Sequence, residues 1–179
     1  MRLISSPSAR AGRARRPATR DAVPYSDRET VGLLLAALVA ASGLIHVGAG
    51  VDHFAELPAY TVAFAVVAAA QFTWAGLLMR SPTRIVLIWG SWLTASVIVV
   101  WILSRTVGSP LGSPPWRPEA VGVADLVETA DELVTLIAAL ALAAWPGRAF
   151  ARQLVKRLAP VIVAMLLFTV LYGLGAHAG

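Results

Sequence analysis

Five apolar stretches, each close to the length of about 20 residues that carries a helix across a bilayer, dominate this chain. They run at about 31–52, 59–79, 85–104, 121–145 and 158–176. Within hydrocarbon every backbone N–H and C=O must be bonded inside its own segment, so such stretches can only be helices or strands of a closed barrel, and runs this long and continuous are helices. The charged fraction agrees: 14% of the residues are Asp, Glu, Lys or Arg, against about 25% in soluble domains. The expectation is an all-α integral membrane bundle of five transmembrane helices over residues 31–179, lying in the cell membrane and preceded by a tail at 1–30.

The fourth stretch is the uncertain one, because only Leu133 to Trp145, 13 residues, is free of acids. Charge placement resolves it. With five crossings and a cytoplasmic N-terminus, the inner side collects the seven tail cations with Arg80, Arg84, Arg148, Arg152, Lys156 and Arg157, 13 of the 15 in the chain. That is the distribution the positive-inside rule requires, and it places the C-terminus outside. If the fourth stretch did not cross, the four cations after it would fall outside. Asp125, Glu128, Asp131 and Glu132 are therefore expected to enter the membrane region.

The same topology puts seven of the ten acids at or below the outer face, opposed there only by Arg105 and Arg117. A cation arriving from outside would be attracted. The net charge of +5 does not signal nucleic acid, because seven cations belong to the tail. That tail, rich in Pro, Ser, Ala and Arg, reads as disordered and resting on anionic headgroups. Its Arg15–Arg16 pair lacks the surroundings of a twin-arginine signal, and the first apolar run is too long for a signal-peptide core.

With no cysteine, the chain can form no disulfide, thiolate metal site or haem linked through a Cys-x-x-Cys-His motif. Any metal would rest on His, Asp and Glu. On the first helix His46 and His53 are seven residues apart, within about 20° of one face but about 10 Å apart along the axis. They are too far apart to share one ion comfortably unless the stretch from Gly48 to Gly50 unwinds. His53 and Glu56, at i and i+3, can point at a common ion if the helix continues to Pro58. On the fourth span Asp125, Glu128 and Glu132, at i, i+3 and i+7, form a polar stripe with Thr129 and Thr135 beside it.

Carboxylates in hydrocarbon are costly, so the stripe must face the bundle interior or water. Asp131 is expected to turn away from it, toward Arg105 or Arg117. His46 and Glu128 to Glu132 fall at comparable depth from the outer end and can meet, with Gln71 and Arg105 available to complete the network. The candidate metal ligands are thus His46, His53, Glu56, Asp125, Glu128 and Glu132. His177, beside the C-terminus, is a weak addition. The loop at 106–120, with four prolines, reads as a stiff cap over the outer ends. Trp74, Trp89, Trp92, Trp101, Trp116 and Trp145 are assigned to interfacial anchoring.

The segments HVGAGVDHFAELP and WILSRTVGSPLGSPPWRPEAVGVADLVETADE resemble a loosely defined group of small multi-pass membrane proteins of high-GC, actinobacterial-type bacteria. The resemblance covers about residues 43 to 135. It implies the same membrane architecture and brings no established activity with it.

Three functions compete. The first is a metal-binding or redox site near the outer face, used by an enzyme or a metal-handling protein; imidazole and carboxylate together suit iron, manganese, copper or zinc. The second is a proton or cation transport component, which would need an oligomer to complete a path. The third is a structural accessory subunit of a membrane complex, its polar groups holding helices together. A haem b site on His46 lacks a second histidine at suitable depth. No phosphate-binding loop, dinucleotide fingerprint, nucleophile elbow or zinc-protease motif occurs.

Overall fold

In a computed structural model, which describes residues 26–55, 57–110, 115–145 and 147–175, the chain forms five helices and, among the described residues, no strand. They are α1 Asp27–Asp52, α2 Pro58–Arg80, α3 Arg84–Thr106, α4 Val123–Ala144 and α5 Arg148–Gly175. The basic tail before Ser26, together with Glu56 and His177, lies outside the described residues.

Local chemistry sets each start. Ser26 and Glu29 close a capping box on α1: the Ser26 hydroxyl accepts from the Glu29 N–H at 3.3 Å, and the Glu29 carboxylate accepts from the Ser26 N–H at 2.7 Å. Two orphan donors are satisfied, and the helix begins four residues before the apolar run. Pro58 opens α2 at the position where a missing N–H costs nothing. Thr83 caps α3 through the Val86 N–H at 3.4 Å, and the Asp125 carboxylate takes the Gly122 N–H at 2.7 Å at the start of α4.

Three helices, α1, α2 and α3, are long and apolar enough to cross a membrane. The chain is accordingly a membrane protein, with large apolar side chains such as Leu44, Val62, Val66, Ile85, Trp89, Trp92 and Val100 outside the packed interior. The other two are interrupted: α4 by its four acids, and α5 by Arg152, Lys156 and Arg157 in its first half.

α1 is the central element, packed on α2, α4 and α5, while α3 joins the bundle through α2 and α4. Gly43 and Gly50 allow α2 to come close. A methyl group at Gly43 would meet the Phe72 ring at 3.0 Å, and one at Gly50 would meet the Phe64 Cβ at 3.4 Å. The apolar core, with Val31, Leu35, Leu38, Leu78, Leu87 and Leu142 at most 1% exposed, fills one half of the bundle.

That half ends in a basic face, where Arg28 donates to the Pro82 carbonyl and Arg152 meets Asp27 at 3.3 Å. At the opposite, acidic end Arg105 is held by Glu119 and, at 2.8 Å, by Asp125. Tyr60 donates to Glu119 at 2.7 Å, and the Glu119 N–H bonds the Ser104 carbonyl at 3.1 Å, so the loop after α3 folds back over its own helix end. Gly108 at φ +91° and Trp116 at φ +61° make that reversal. A side chain on Gly108 would collide with the backbone of Trp116 and Arg117. The described part of the proline-rich loop is thus tied down as a cap.

One tryptophan departs from the belt assignment. Trp74 is 4% exposed, its indole N–H donates to the Val86 carbonyl at 3.1 Å, and a Cβ on Gly90 would fall inside its ring. It is a core residue locked into α3 and not an interfacial anchor.

Candidate metal centre

The acids of α4 follow from its partners. Its buried arc includes Glu128, Asp131, Glu132, Thr135, Ala138, Ala139 and Leu142, while Leu126, Leu133, Ile137 and Leu140 point outward. The helix therefore turns these carboxylates into the bundle. α1 presents Ser42 and His46 to them, one helical turn apart on one face.

His46, Glu128 and Glu132 are all buried, and one ligand atom from each lies within 4.8 Å of the others. The His46 Nδ1 is 3.2 Å from the Glu128 Oε1 and 3.1 Å from the Ser42 carbonyl. Both neighbours are acceptors, so Nδ1 carries the proton in this arrangement, leaving Nε2 as the lone-pair nitrogen of the neutral ring. The Ser42 hydroxyl donates to the same Glu128 oxygen. Gln71 of α2 then donates from Nε2 to the Ser42 Oγ at 2.7 Å and to the Glu132 Oε1 at 3.2 Å. A continuous chain of hydrogen bonds runs from Glu132 through Gln71 and Ser42 to Glu128 and His46.

The charges do not balance. Glu128, Asp131 and Glu132 lie within one turn and a half of α4, and His46 is the one basic side chain in contact with them among the described residues. The Glu128 Oε2 and both Asp131 oxygens are buried with no hydrogen-bond partner. A buried polar atom in that state costs about 1–3 kcal/mol, and more when charged. The cluster accommodates further positive charge, supplied as protons or as a cation.

The candidates named from sequence divide. His46, Glu128 and Glu132 come together. Asp125 belongs to the same stripe but sits at the acidic end, claimed by Arg105 and by its capping role at Gly122. His53 is kept away because α1 stops at Asp52; His53 is the residue that caps it, and the chain then turns. Its ring stacks on Phe64 at 5.8 Å, and the same phenyl ring lies 5.9 Å from the ring of His46. α1 ends at Asp52, short of Pro58, and Glu56 lies outside the described residues.

Asp131 is the correction. It does not reach for Arg105, whose partners are Glu119 and Asp125. It is 1% exposed and faces the interior with Glu132, Thr135 and Thr94. Arg105 likewise serves the cap and not the cluster. Ser42 was missed as a site residue; its position one turn before His46 was the available signal. No protein-family model, curated protein or solved structure matches this chain.

Proposed function

We propose that this protein crosses the cell membrane five times, with its N-terminus in the cytoplasm, and holds a divalent transition-metal ion near the outer face on His46, Glu128 and Glu132. The observation that carries the metal reading is the convergence of one imidazole and two carboxylates from two helices within 4.8 Å. Ligands of a tetrahedral ion at about 2.0–2.1 Å are about 3.4 Å apart. Closure by about an ångström, within the reach of glutamate rotamers, would complete three protein bonds and leave a position for water or substrate. The nitrogen and oxygen donor set fits iron, manganese, zinc or copper(II).

Support for α4 as a crossing is its sidedness: acids inward, Leu126, Leu133, Ile137 and Leu140 outward. Its 22 residues span about 33 Å as a helix, enough for the hydrocarbon core. The clustering of cations at the basic end supports the orientation.

Binding is favoured over conduction by what lies between the cluster and the basic end. Among the described residues, every buried polar or charged side chain except Ser91 belongs to the cluster or to the small cavity beside it. Ser91 spends its hydroxyl on the Leu87 carbonyl of its own helix at 2.8 Å. Val31, Leu35, Leu38, Leu78, Leu87 and Leu142 close the rest. The site is therefore closed toward the basic end, which suits binding better than conduction.

The test is the metal content of detergent-purified protein after dialysis against mixed divalent ions, by elemental analysis. Retention of one equivalent of a transition metal is expected, lost in both His46→Ala and Glu132→Gln. Metal-free wild-type protein, or variants that keep the metal, would sink the reading.

A further inference from the structure

One helical turn toward the basic end from His46, and adjoining the triad through Glu132, lies a small cavity. It has a volume of about 10 Å³ and is lined by Val39, Ser42, Gln71, Trp74, Thr94, Asp131, Glu132 and Thr135. Its position is at mid-height of four helices: Val39, Gln71, Thr94 and Thr135 each lie within about two residues of the centre of their helix. Four oxygens of its lining side chains are buried without a hydrogen-bond partner: Gln71 Oε1, both oxygens of Asp131, and Thr135 Oγ1. Their residues are 1–2% exposed.

The nitrogens nearby are committed elsewhere. Gln71 Nε2 serves Ser42 and Glu132, and the Trp74 indole N–H serves Val86. What faces the cavity unpaired is therefore oxygen alone. A carboxylate, an amide carbonyl and a hydroxyl make a hard donor set, which selects alkali and alkaline-earth cations over the softer transition metals.

We infer that this cavity is a second cation site, for a dehydrated sodium ion held by Asp131, Thr135 and the Gln71 carbonyl, with Glu132 shared between it and the metal triad. Volume and charge choose among the hard cations. The space admits about one water-sized body, which leaves no room for magnesium with the waters it keeps. Calcium takes six to eight oxygens, and the four free ones with Glu132 reach only the lower end of that range. A single positive charge also matches Asp131, the one acid here with no other partner. A resident water would satisfy hydroxyl and amide but bring no positive charge, so it would require Asp131 to be held as the neutral acid; a sodium-dependent Tm separates that arrangement from a bound ion.

The measurement is the melting temperature of the full-length protein in detergent with chelator present, as sodium chloride replaces choline chloride at constant ionic strength. Ligand linkage makes wild-type Tm rise saturably with sodium, by about 5 °C or more once the ion is in large excess over its Kd. Asp131→Asn abolishes the rise. Thr135→Val, isosteric and without the hydroxyl, moves the half-effect concentration up about tenfold. His46→Ala, which removes the transition-metal triad, keeps the sodium response, so that failure of either site leaves the other standing. Equal Tm in sodium and choline, a sodium response that survives both Asp131→Asn and Thr135→Val, or a response to calcium in place of sodium overturns the inference.

Discussion

Replacing Ser42 by alanine isolates what the hydrogen-bond chain does for the metal triad, because Ser42 is not itself one of the three ligands. Its hydroxyl donates to the Glu128 Oε1 and accepts from Gln71 Nε2 at 2.7 Å. In Ser42→Ala, Glu128 keeps only His46 at 3.2 Å, and Gln71 keeps only Glu132 at 3.2 Å. Both glutamates then have freedom to leave the geometry in which their oxygens converge. Removing a group that orients a metal ligand costs about 10–100-fold in affinity, which is about 1.4–2.8 kcal/mol. The fold should lose about 2–4 kcal/mol as well, one neutral hydrogen bond and one to a carboxylate. Ser91→Ala is the matched control, since Ser91 is equally buried but bonds its own helix at Leu87. It should cost about 1 kcal/mol and leave the affinity alone. Isothermal titration with the metal identified by elemental analysis gives the affinities, and reversible denaturation in mixed micelles gives the stabilities. Equal affinity in the two variants would refute the positioning role of Ser42.

Three further outcomes follow from single contacts. Gly90→Ala should destabilise by about 1–3 kcal/mol, because its methyl group would displace the Trp74 indole from the groove of α3. Gly76→Ala, with open space at its Cβ, should be neutral or stabilising by up to about 1 kcal/mol; thermal melts of the pair check the contrast. Arg105→Gln should free Glu119 and Asp125 and speed proteolysis within the loop after α3, while metal content stays at the wild-type value. Thr61→Val should cost about 1 kcal/mol by deleting the 2.9 Å bond to the Gly50 carbonyl, and hydrogen exchange should rise at the ends of α1 and α2 facing that contact.

Helices α1, α2 and α3 were readable because their length and composition are those that hydrocarbon requires. So was the meeting of His46 with Glu128 and Glu132, since helical rise alone puts His46 about 9 Å from the end of α1 and Glu128 about 8 Å from the start of α4. Tertiary information was needed where one residue had two available partners. Asp125 lies on the stripe by angle, but Arg105 and the first turn of α4 claim it. Asp131 is only about 60° from Glu128 around the helix, and α4 packs on α1, α3 and α5 together, so its buried arc is wider than a stripe facing one neighbour. α1 cannot run into α2 because Leu57, ahead of Pro58, is held extended at φ −153° and ψ 98°, as a residue before proline prefers. Trp74 needed Gly90, a residue of another helix.

The remaining alternative, in which these groups only hold the helices together, makes an opposite demand on the same atoms. A glue of buried polar side chains stabilises when every member is paired; a half-satisfied network is worse than an apolar one of the same shape. Here Asp131 has no partner for either oxygen, and Glu128 has none for its second. As glue the arrangement is poor. The two roles separate on Asp131→Leu in protein stripped of metal and sodium. If the acid only supports the fold, the variant loses stability. If it is held buried for a ligand, the apolar replacement is neutral or gains about 1–4 kcal/mol, while the sodium response disappears. A loss of stability in ion-free protein would favour the structural role, and a gain accompanied by loss of ion response would establish that this part of the fold is maintained at a stability cost for binding.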